Sequence, residues 1–167
     1  MKKLSNIFLL SALFLSFLTG TANAQKKWTL MVFLNGDNNL DWAGNADVEE
    51  MLKVGSTDQL DIIVLQDHQG NDNTERHYIK KGSKVTEKLG ELDMGDWQQA
   101  LNFFKWGVRN HPAEHYIFDI WNHGSGWEKN PGEDLVKGVS FDYQSGNHIT
   151  TPQLGLLTKA MRSEEHT

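Results

Sequence analysis

The sequence predicts a layered α/β fold with a largely parallel sheet. Three apolar runs are typical of buried strands, segments with helical spacing lie between them, and two polar alternating runs form a candidate hairpin. Strands that alternate with helices are typical of βαβ units, in which the crossover makes neighbouring strands parallel. No internal repeat or low-complexity linker divides the sequence, so we expect a single domain.

Six short segments have the composition of strands. Apolar and β-branched residues dominate three of them, which predicts buried strands over residues 27–34, 60–66 and 115–121. Two more polar runs, 74–80 and 84–89, alternate around a Lys-Gly-Ser turn and predict a hairpin at an edge of the sheet. A last short strand is predicted over residues 138–143.

Three helices are predicted between and after these strands. The first covers about residues 40–54 and ends at Gly55. Asp96 opens the second as its N-cap, and Gln99 completes a capping-box pattern with it. The last helix is capped by Thr151, with Pro152 at its first position. The second helix has an apolar face at helical spacing, formed by Trp97, Ala100, Leu101, Phe104 and Val108.

The amino terminus is typical of a secretory signal peptide. Lys2 and Lys3 precede an apolar run over residues 7–18, and Ala22-Asn23-Ala24 matches the pattern at which signal peptidase cleaves. We therefore predict a signal peptide over residues 1–24 and an exported protein that is periplasmic, on the cell surface or extracellular. The apolar run is shorter than the roughly 18 residues of a membrane-spanning helix, so no membrane anchor is expected after cleavage.

The last six residues differ in character from the helix before them. Residues 162–167 (RSEEHT) are polar and include no helix cap. We interpret them as a non-native tail, because in-frame translation of a common sequencing adapter gives this hexapeptide. An ordinary polar helix end is the alternative. The folded region is then residues 25–161, which we expect to be the amino-terminal part of a larger domain.

The charge and cysteine content exclude several kinds of partner and chemistry. There are 16 Lys and Arg against 22 Asp and Glu, a formal net charge of −6. Nucleic acids and anionic membrane surfaces need a basic binding face, so we predict neither as a partner. The chain contains no cysteine, which excludes a disulfide, a thiolate metal site and a thiol nucleophile within these residues.

The carboxyl end of the third apolar run carries the residues best suited to catalysis. Residues 122–127 (NHGSGW) follow that strand directly, and α/β sheets bind their ligands at the carboxyl ends of the strands. His123 can act there as a general base or acid. The backbone N–H of Gly124 can stabilise an oxyanion. The alternative is a histidine that only satisfies a polar loop.

Three further blocks of the sequence are informative: WTLMVFLNGDNNLD at 28–41, MGDWQQALNFFKWGVRNHPAEHYIFDIWNHGSGW at 94–127 and GVSFDYQSGNHITTPQL at 138–154. In the same order, they resemble the clostripain-like cysteine peptidases, which are relatives of caspases, legumains and gingipains. The resemblance implies a three-layer α/β/α sandwich of the caspase type, here truncated. It also implies a secreted endopeptidase with a Cys-His dyad that cleaves protein or peptide substrates after Arg or Lys.

The same resemblance assigns roles to individual residues. His123 matches the catalytic histidine, and Gly124 matches the oxyanion-binding backbone. The family's nucleophilic cysteine follows a further strand, beyond the helix that starts near Pro152, and this chain has no cysteine to match it. We therefore expect the fragment to be inactive, with its central sheet short of at least one strand.

The turn after the first strand offers further candidates. Asn35 and Asp37 could form part of the wall of the substrate pocket, and a turn or helix-capping role is the alternative for both. Residues 37–41 have the Asp-x-Asn-x-Asp spacing of a calcium loop. However, Trp42 and Val48 occupy the positions where an EF-hand needs Gly and Glu. The resemblance leaves calcium open as a cofactor at a different site.

Other polar residues support weaker hypotheses. Asp67, His68 and His77 have metal-binding side chains, but no further ligand has suitable spacing. We therefore interpret them as surface residues and predict no metal site from the sequence. Self-processing occurs in the family, and Lys129 and Lys137 lie in the glycine-containing loop after His123. Either lysine is a candidate cleavage site, with a solvated charged loop as the alternative.

Two other functions are compatible with the sequence. The His-Gly-Ser-Gly segment is similar to the oxyanion loop of serine esterases, but the Gly-x-Ser-x-Gly elbow of that class does not occur in this chain. The second is a secreted binding protein on the same fold that has lost its nucleophile. A following strand that ends in cysteine supports the peptidase, an elbow supports the esterase, and neither supports the binding protein.

Overall fold

The computed structural model describes residues 25–70, 73–124 and 137–164. The predicted signal peptide and Lys129 lie outside these described residues. The described strands are β1 (Lys26–Gly36), β2 (Leu60–His68), β3 (Thr74–Lys80), β4 (Ser83–Gly90), β5 (Ala113–Trp121), β6 (Gly138–Val139) and β7 (Ile149–Thr150). The described helices are α1 (Asp41–Val54), α2 (Trp97–Asn110) and α3 (Thr151–Glu164). None of these helices is both long enough and apolar enough to cross a membrane.

Five strands form one sheet in the order β4-β3-β2-β1-β5. The central strand β1 pairs in parallel with β2 on one side and with β5 on the other. β3 and β4 extend the sheet beyond β2 as an antiparallel hairpin. The predicted parallel core with a hairpin at its edge is therefore confirmed. Because the chain adds β2 to one side of β1 and β5 to the other, the strand order switches beside β1.

Helices cover the two faces of the sheet, which makes three layers. Successive side chains of a strand point to opposite faces, so the continuous apolar runs of β1 and β2 supply a core on each side. The core that includes the α1 residue Val48 contains Val32, Leu34, Ile62 and Val64. The core that includes α2 and α3 contains Met31, Phe33, Ile63, Leu65, Phe104 and Leu157. The predicted α/β/α layering is confirmed.

The helix caps differ in part from the prediction. Asp96 caps α2 as expected, but its carboxylate accepts from the N–H of Gln98 at 2.9 Å, and its own N–H donates to the carbonyl of Asp93. The reciprocal capping box occurs at α3 instead. There Thr150 Oγ1 accepts from the N–H of Gln153 at 3.4 Å, and Gln153 Oε1 accepts from the N–H of Thr150 at 2.9 Å. The cap of α3 is therefore Thr150, one residue before the predicted one.

The strand predicted over residues 138–143 ends after Val139. Ser140 has a φ of 57°, in the left-handed region that residues other than glycine rarely adopt. Its hydroxyl donates to the carbonyl of Met94 at 2.7 Å and accepts from the side-chain amide of Asn35 at 3.1 Å. These two buried bonds hold the backbone of Ser140 out of strand geometry and join it to the end of β1.

The last described helix continues into the segment interpreted as a tail. α3 extends through Glu164, whose carboxylate lies 2.9 Å from Lys105 Nζ on α2. Residues 162–164 are thus helical, and residues 165–167 lie outside the described part of the chain. The interpretation of residues 162–167 as non-native stays a prediction.

Candidate active site

The loops after β1 and β5 meet at the carboxyl edge of the sheet, beside the switch in strand order. Leu34 near the end of β1 is in register with Trp121 at the end of β5, so the segments that follow start side by side. His123 Nε2 donates to Asn39 Oδ1 across this junction at 2.8 Å. The predicted catalytic histidine therefore lies where parallel α/β sheets bind their ligands.

The bond to Asn39 determines which nitrogen of His123 can act as a base. An amide oxygen accepts hydrogen bonds only, so Nε2 carries the hydrogen and Nδ1 keeps its lone pair. Tyr143 also donates its hydroxyl to Asn39 Oδ1, at 3.5 Å. His123, Asn39 and Tyr143 are all exposed. The arrangement is an oriented, solvent-accessible imidazole whose Nδ1 has no hydrogen-bond partner among the described residues.

Gly124 lies next to this imidazole and is exposed. It forms an isolated antiparallel bridge with Val139. A Cβ at Gly124 would only make ordinary van der Waals contact with Val139, at 3.9 Å. Packing within the described residues therefore does not require glycine here. A small residue that leaves its backbone open to a ligand fits the predicted oxyanion role.

Asn122 fixes the direction in which the chain leaves β5. Its side-chain amide donates to the carbonyls of Asn35 at 2.7 Å and Phe141 at 3.2 Å, and its Oδ1 accepts from the N–H of Phe141 at 3.2 Å. One side chain therefore ties the base of the His123 loop both to the end of β1 and to the segment after β6.

Asn35 and Asp37 lie at the end of β1, but inside the protein. Their exposed fractions are 0% and 2%. Asn35 Oδ1 accepts from the N–H of Asp37 at 3.1 Å, and Asp37 Oδ2 accepts from the N–H of Gln144 at 2.7 Å. These bonds fit the turn role that was the alternative in the sequence. They do not support a place for either side chain in the wall of a substrate pocket.

The interpretation of Asp67 and His77 as surface residues is wrong. Asp67 and His77 are completely buried, and His68 is partly buried. Each has a partner that the sequence spacing did not indicate. Asp67 Oδ1 accepts from the Thr74 hydroxyl at 2.8 Å, and His68 Nδ1 donates to Asp41 Oδ1 at 2.8 Å. Asp67 near the end of β2 and His77 in the middle of β3 are polar, yet neighbouring segments bury them.

Asp67 belongs to a group of four carboxylates at this edge of the sheet. Asp37, Asp67, Glu91 and Asp142 each place an oxygen within 4.8 Å of the others. Burial and the charges of the other three carboxylates raise the pKa of Asp67 to about 7, although the Thr74 hydrogen bond acts in the opposite direction. Burial also raises the pKa of Asp37, against the Gln144 amide, with a further rise from Asp142.

Comparison with known proteins agrees with this geometry. The sequence profile of the clostripain family matches residues 32–166. The chain belongs to the clostripain family. Clostripain of Hathewaya histolytica is 25% identical to it over 146 residues, an alignment that covers 72% of this chain and 28% of clostripain. The chain therefore spans less than a third of the length of that relative.

Solved structures of cysteine proteases share the fold of this clostripain-family chain. A secreted C11 cysteine protease from Bacteroides thetaiotaomicron, solved with an irreversible peptide inhibitor, superposes with a TM-score of 0.63 at 22% identity, over 81% of this chain and 39% of that one. A cysteine protease of B. fragilis gives 0.51 at 24% identity, over 65% of this chain and 98% of that one. The expected caspase-type α/β/α fold is confirmed.

The sequence did not identify every residue of the clostripain-family site. Asn39 was only one of several turn residues after β1, and Asn122 only preceded the histidine. Glu91 and Asp142 had no assigned role. The predicted buried strand is followed directly by Asn122, His123 and Gly124. Its position after that strand was therefore a signal that could have identified Asn122. Nothing in the sequence pairs Asn39 with a histidine 84 residues later.

Proposed function

We propose that the full-length protein containing this chain is an exported cysteine endopeptidase that cleaves after Arg or Lys. The peptidase class is supported by membership of the clostripain family, which consists of cysteine peptidases. The single observation that carries the proposal is the orientation of His123. Its Nε2 donates to Asn39 at 2.8 Å and its Nδ1 has no partner in the described part of the chain, at the carboxyl edge beside the switch in strand order.

His123 Nδ1 is the proposed general base for a cysteine supplied by the remainder of the full-length protein. Nδ1 accepts the thiol proton, and the sulfur lone pair attacks the carbonyl carbon of the substrate. A C–S bond forms while the C=O π electrons move to the oxygen, which accepts a hydrogen bond from the N–H of Gly124. His123 then gives the proton to the amide nitrogen as the C–N bond breaks. Water hydrolyses the acyl-enzyme, and such a base contributes roughly 10²- to 10⁴-fold to the rate.

The cleavage preference and the export of the protein rest on different observations. The preference for Arg or Lys is a family expectation, and the net charge of −6 is compatible with a cationic substrate. Export is supported by the predicted signal peptide over residues 1–24, and the related Bacteroides thetaiotaomicron protease is a secreted protein.

The chain by itself is proposed to be inactive, because it contains no cysteine. β5 is at one end of the described sheet, and an apolar groove runs between it and α3. Side chains of both elements line this groove, among them Tyr116, Phe118, Ile120, Leu154 and Leu157. We expect the strand that carries the nucleophile to pair with β5 over this groove.

Self-processing is proposed for the loop between Gly124 and Gly138. Lys137 is at its carboxyl end, where its carbonyl accepts from the N–H of Thr151 at 3.1 Å, and Lys129 lies outside the described residues. Mass spectrometry of the purified full-length protein tests this. New amino termini at residue 130 or 138 support it, and an intact loop in an active enzyme contradicts it.

The main experiment uses the full-length gene product and fluorogenic peptides with Arg, Lys or Glu before the cleaved bond. We expect hydrolysis after Arg and Lys, and inactivation by iodoacetamide. His123→Ala should lower kcat/KM by at least about 10²-fold. His115→Ala is the matched control on the same strand, because His115 is exposed at the other end of β5, and it should retain activity.

Three results would contradict the proposal. Peptide hydrolysis that is unaffected by iodoacetamide or by His123→Ala would remove the Cys-His dyad. Ester hydrolysis that only a serine-directed phosphonate blocks would favour the esterase. A folded full-length protein that hydrolyses none of these substrates and does not react with a peptide acyloxymethyl ketone would favour the binding protein.

A further inference from the structure

Two asparagine side chains at the carboxyl edge bind the same pair of backbone carbonyls. The amide nitrogen of Asn38 donates to the carbonyls of Asn35 and Phe141, at 3.2 Å each. The amide nitrogen of Asn122 donates to the same two carbonyls, at 2.7 Å and 3.2 Å. Each amide nitrogen carries two hydrogens and each carbonyl oxygen has two lone pairs, so the four bonds can form together. Asn38 follows β1 and Asn122 follows β5, so these bonds join the two loops at one place.

The backbone determines how both amides are turned. The side-chain oxygen of Asn38 accepts from the N–H of Leu40 at 2.8 Å, and that of Asn122 accepts from the N–H of Phe141 at 3.2 Å. If either amide were turned over, its NH2 group would face a backbone N–H, and neither group would have an acceptor. Each asparagine therefore uses its oxygen to keep a fixed orientation and its nitrogen to bind the shared carbonyls.

Each asparagine is followed directly by one partner of the bond that orients the proposed base. Asn38 precedes Asn39, and Asn122 precedes His123, whose Nε2 donates to Asn39 at 2.8 Å. Both partners of this bond are exposed, so water competes with it and the bond is weak by itself. Asn38 is completely buried, and a buried donor that loses its acceptor is costly. The inner bonds are therefore the stronger constraint on the spacing of the two loops.

We propose that Asn38 and Asn122 are positioning residues, which set the spacing between Asn39 and His123 and thereby the nitrogen that His123 presents to the nucleophile. The proposal rests on the proposed peptidase function, and it adds two residues that act through their neighbours and not on the reacting atoms. With the shared carbonyls bound, Asn39 stays within reach of Nε2 and leaves Nδ1 as the base. Without them the imidazole can carry its hydrogen on either nitrogen, and a fraction of the enzyme presents an N–H in place of a base.

The kinetic test uses the full-length protein and its peptide substrates. Asn38→Ala and Asn122→Ala should each lower kcat by at least about tenfold and change KM by less than about threefold, since a misplacement of about 1 Å can cost on the order of 10²-fold in rate. In the Asn38→Ala background, Asn39→Ala should lower kcat by less than about twofold more, because the acceptor is already displaced. Independent roles would instead give losses that multiply.

Gln66→Ala is the matched control for a general loss of stability. Gln66 is a completely buried amide of β2, and its side-chain bonds in the described residues go to Asn45 at 3.0 Å and to His77 at 3.2 Å. The variant should unfold at a lower temperature, as Asn38→Ala should, but keep the kcat of the wild type below that temperature. An equal fall in kcat would show that lost stability accounts for the effect, which overturns the positioning role.

A second readout does not need catalysis. Nitrogen chemical shifts of the His123 imidazole, measured by NMR at a pH where the ring is neutral, distinguish its two tautomers. In the wild type we expect a protonated Nε2 and an unprotonated Nδ1. In Asn38→Ala and Asn122→Ala the two shifts should move toward each other. If the buried Asn38→Ala does not fold, the partly buried Asn122→Ala decides.

Several outcomes overturn the proposal. They are a wild-type kcat in the folded single variants, losses that multiply when Asn38→Ala and Asn39→Ala are combined, mixed tautomers of His123 in the wild type, and unchanged nitrogen shifts in the variants. A wild type that hydrolyses no peptide contradicts the proposed function instead, and the nitrogen shifts then decide the positioning role alone.

Discussion

The two edges of the sheet both carry polar clusters, but they balance charge in different ways. At the amino edge, Asp61 accepts from Tyr78 at 3.1 Å and from His111 at 2.9 Å, and it lies 3.7 Å from Lys26 Nζ. At the carboxyl edge, the buried Asp37, Asp67 and Asp142 form none of the ion pairs found among the described residues, and the carboxylates of Asp37 and Asp142 lie against each other.

This difference in charge balance separates a cluster that stabilises the fold from a cluster that has another role. A buried carboxylate with two or three donors and a cation is compensated within the chain itself. Buried carboxylates that face one another are not, and folding alone would not select them. The exposed, oriented His123 lies at the same uncompensated edge. We infer that the carboxyl edge is built for ligands and the amino edge for stability.

The largest expected effect is the dependence of stability on pH that His77 causes. This histidine lies in the middle of the sheet and belongs to neither edge. Its Nδ1 accepts from the Thr86 hydroxyl at 2.9 Å and its Nε2 donates to Gln66 at 3.2 Å. Burial, together with the charges of Lys84 and His68, lowers its pKa to about 4. Glu75 lies 3.7 Å away as the one carboxylate partner found for it in the described chain.

Stability should therefore fall as the pH falls through the range between the two pKa values of His77. Above its unfolded value of 6.5 the imidazole is neutral in both states and contributes no pH dependence. Below it the unfolded chain binds a proton that the folded protein does not bind. The resulting loss of folding free energy levels off near the folded pKa of about 4, where it is on the order of 3 kcal/mol.

Thermal unfolding of the full-length protein and of its His77→Gln variant, between pH 7.5 and 4.5, measures this effect. We expect the midpoint of the wild type to fall more steeply than that of the variant. Parallel curves would show that folding does not change the pKa of His77, and would contradict the assigned lowering of that pKa.

The next effect breaks the compensated amino edge. His111→Ala removes a hydrogen bond to the buried carboxylate of Asp61 and the ring contacts with Tyr78 and Trp106. We expect a loss of about 1–3 kcal/mol in stability. Peptidase activity below the unfolding temperature should stay unchanged. Unfolding midpoints and kcat/KM of the same preparations test both parts, and a loss of activity without a loss of stability would reverse the assignment of the two edges.

The smallest effect tests the uncompensated carboxyl edge, where a substitution should lower activity and leave stability unchanged. Asn39→Ala removes the acceptor that orients His123 but no buried contact, since both side chains are exposed. We expect kcat to fall by about tenfold, or roughly 1.4 kcal/mol, with the unfolding midpoint unchanged. Asn110→Ala is the control, an exposed asparagine at the end of α2. An unchanged kcat in Asn39→Ala would show that His123 does not depend on this bond.

Most of the fold was predictable because it follows from local patterns. The apolar runs of β1, β2 and β5 and the helical spacing of α2 determine elements whose side chains need only a face to bury. The resemblance of the segment around His123 to a known family then gave the layer order and the position of the histidine. Local patterns also gave the hairpin of β3 and β4, since its turn lies between two alternating runs.

The parts that were missed depend on partners far along the chain. Asp67 and His77 have polar side chains, and a local reading places such residues at the surface. They are buried because segments distant in sequence cover them. A similar long-range link occurs at the end of β1, where the Ser140 hydroxyl bonds both to the carbonyl of Met94 and to the side chain of Asn35. The carboxylate group likewise combines residues 37, 67, 91 and 142, which no spacing rule connects.

Ser140 shows how such long-range constraints limit which substitutions the gene can accept. Glycine would relieve the backbone at a φ of 57° but would lose the hydroxyl that joins Met94 to Asn35. Alanine would lose the hydroxyl and keep the strain, and threonine would add a branched carbon at a conformation that disfavours it. Asparagine tolerates the conformation but is larger than a completely buried position accepts. Among diverging copies of this sequence, drift at this codon should therefore be slower than at its exposed neighbours, although its side chain takes no part in the proposed chemistry.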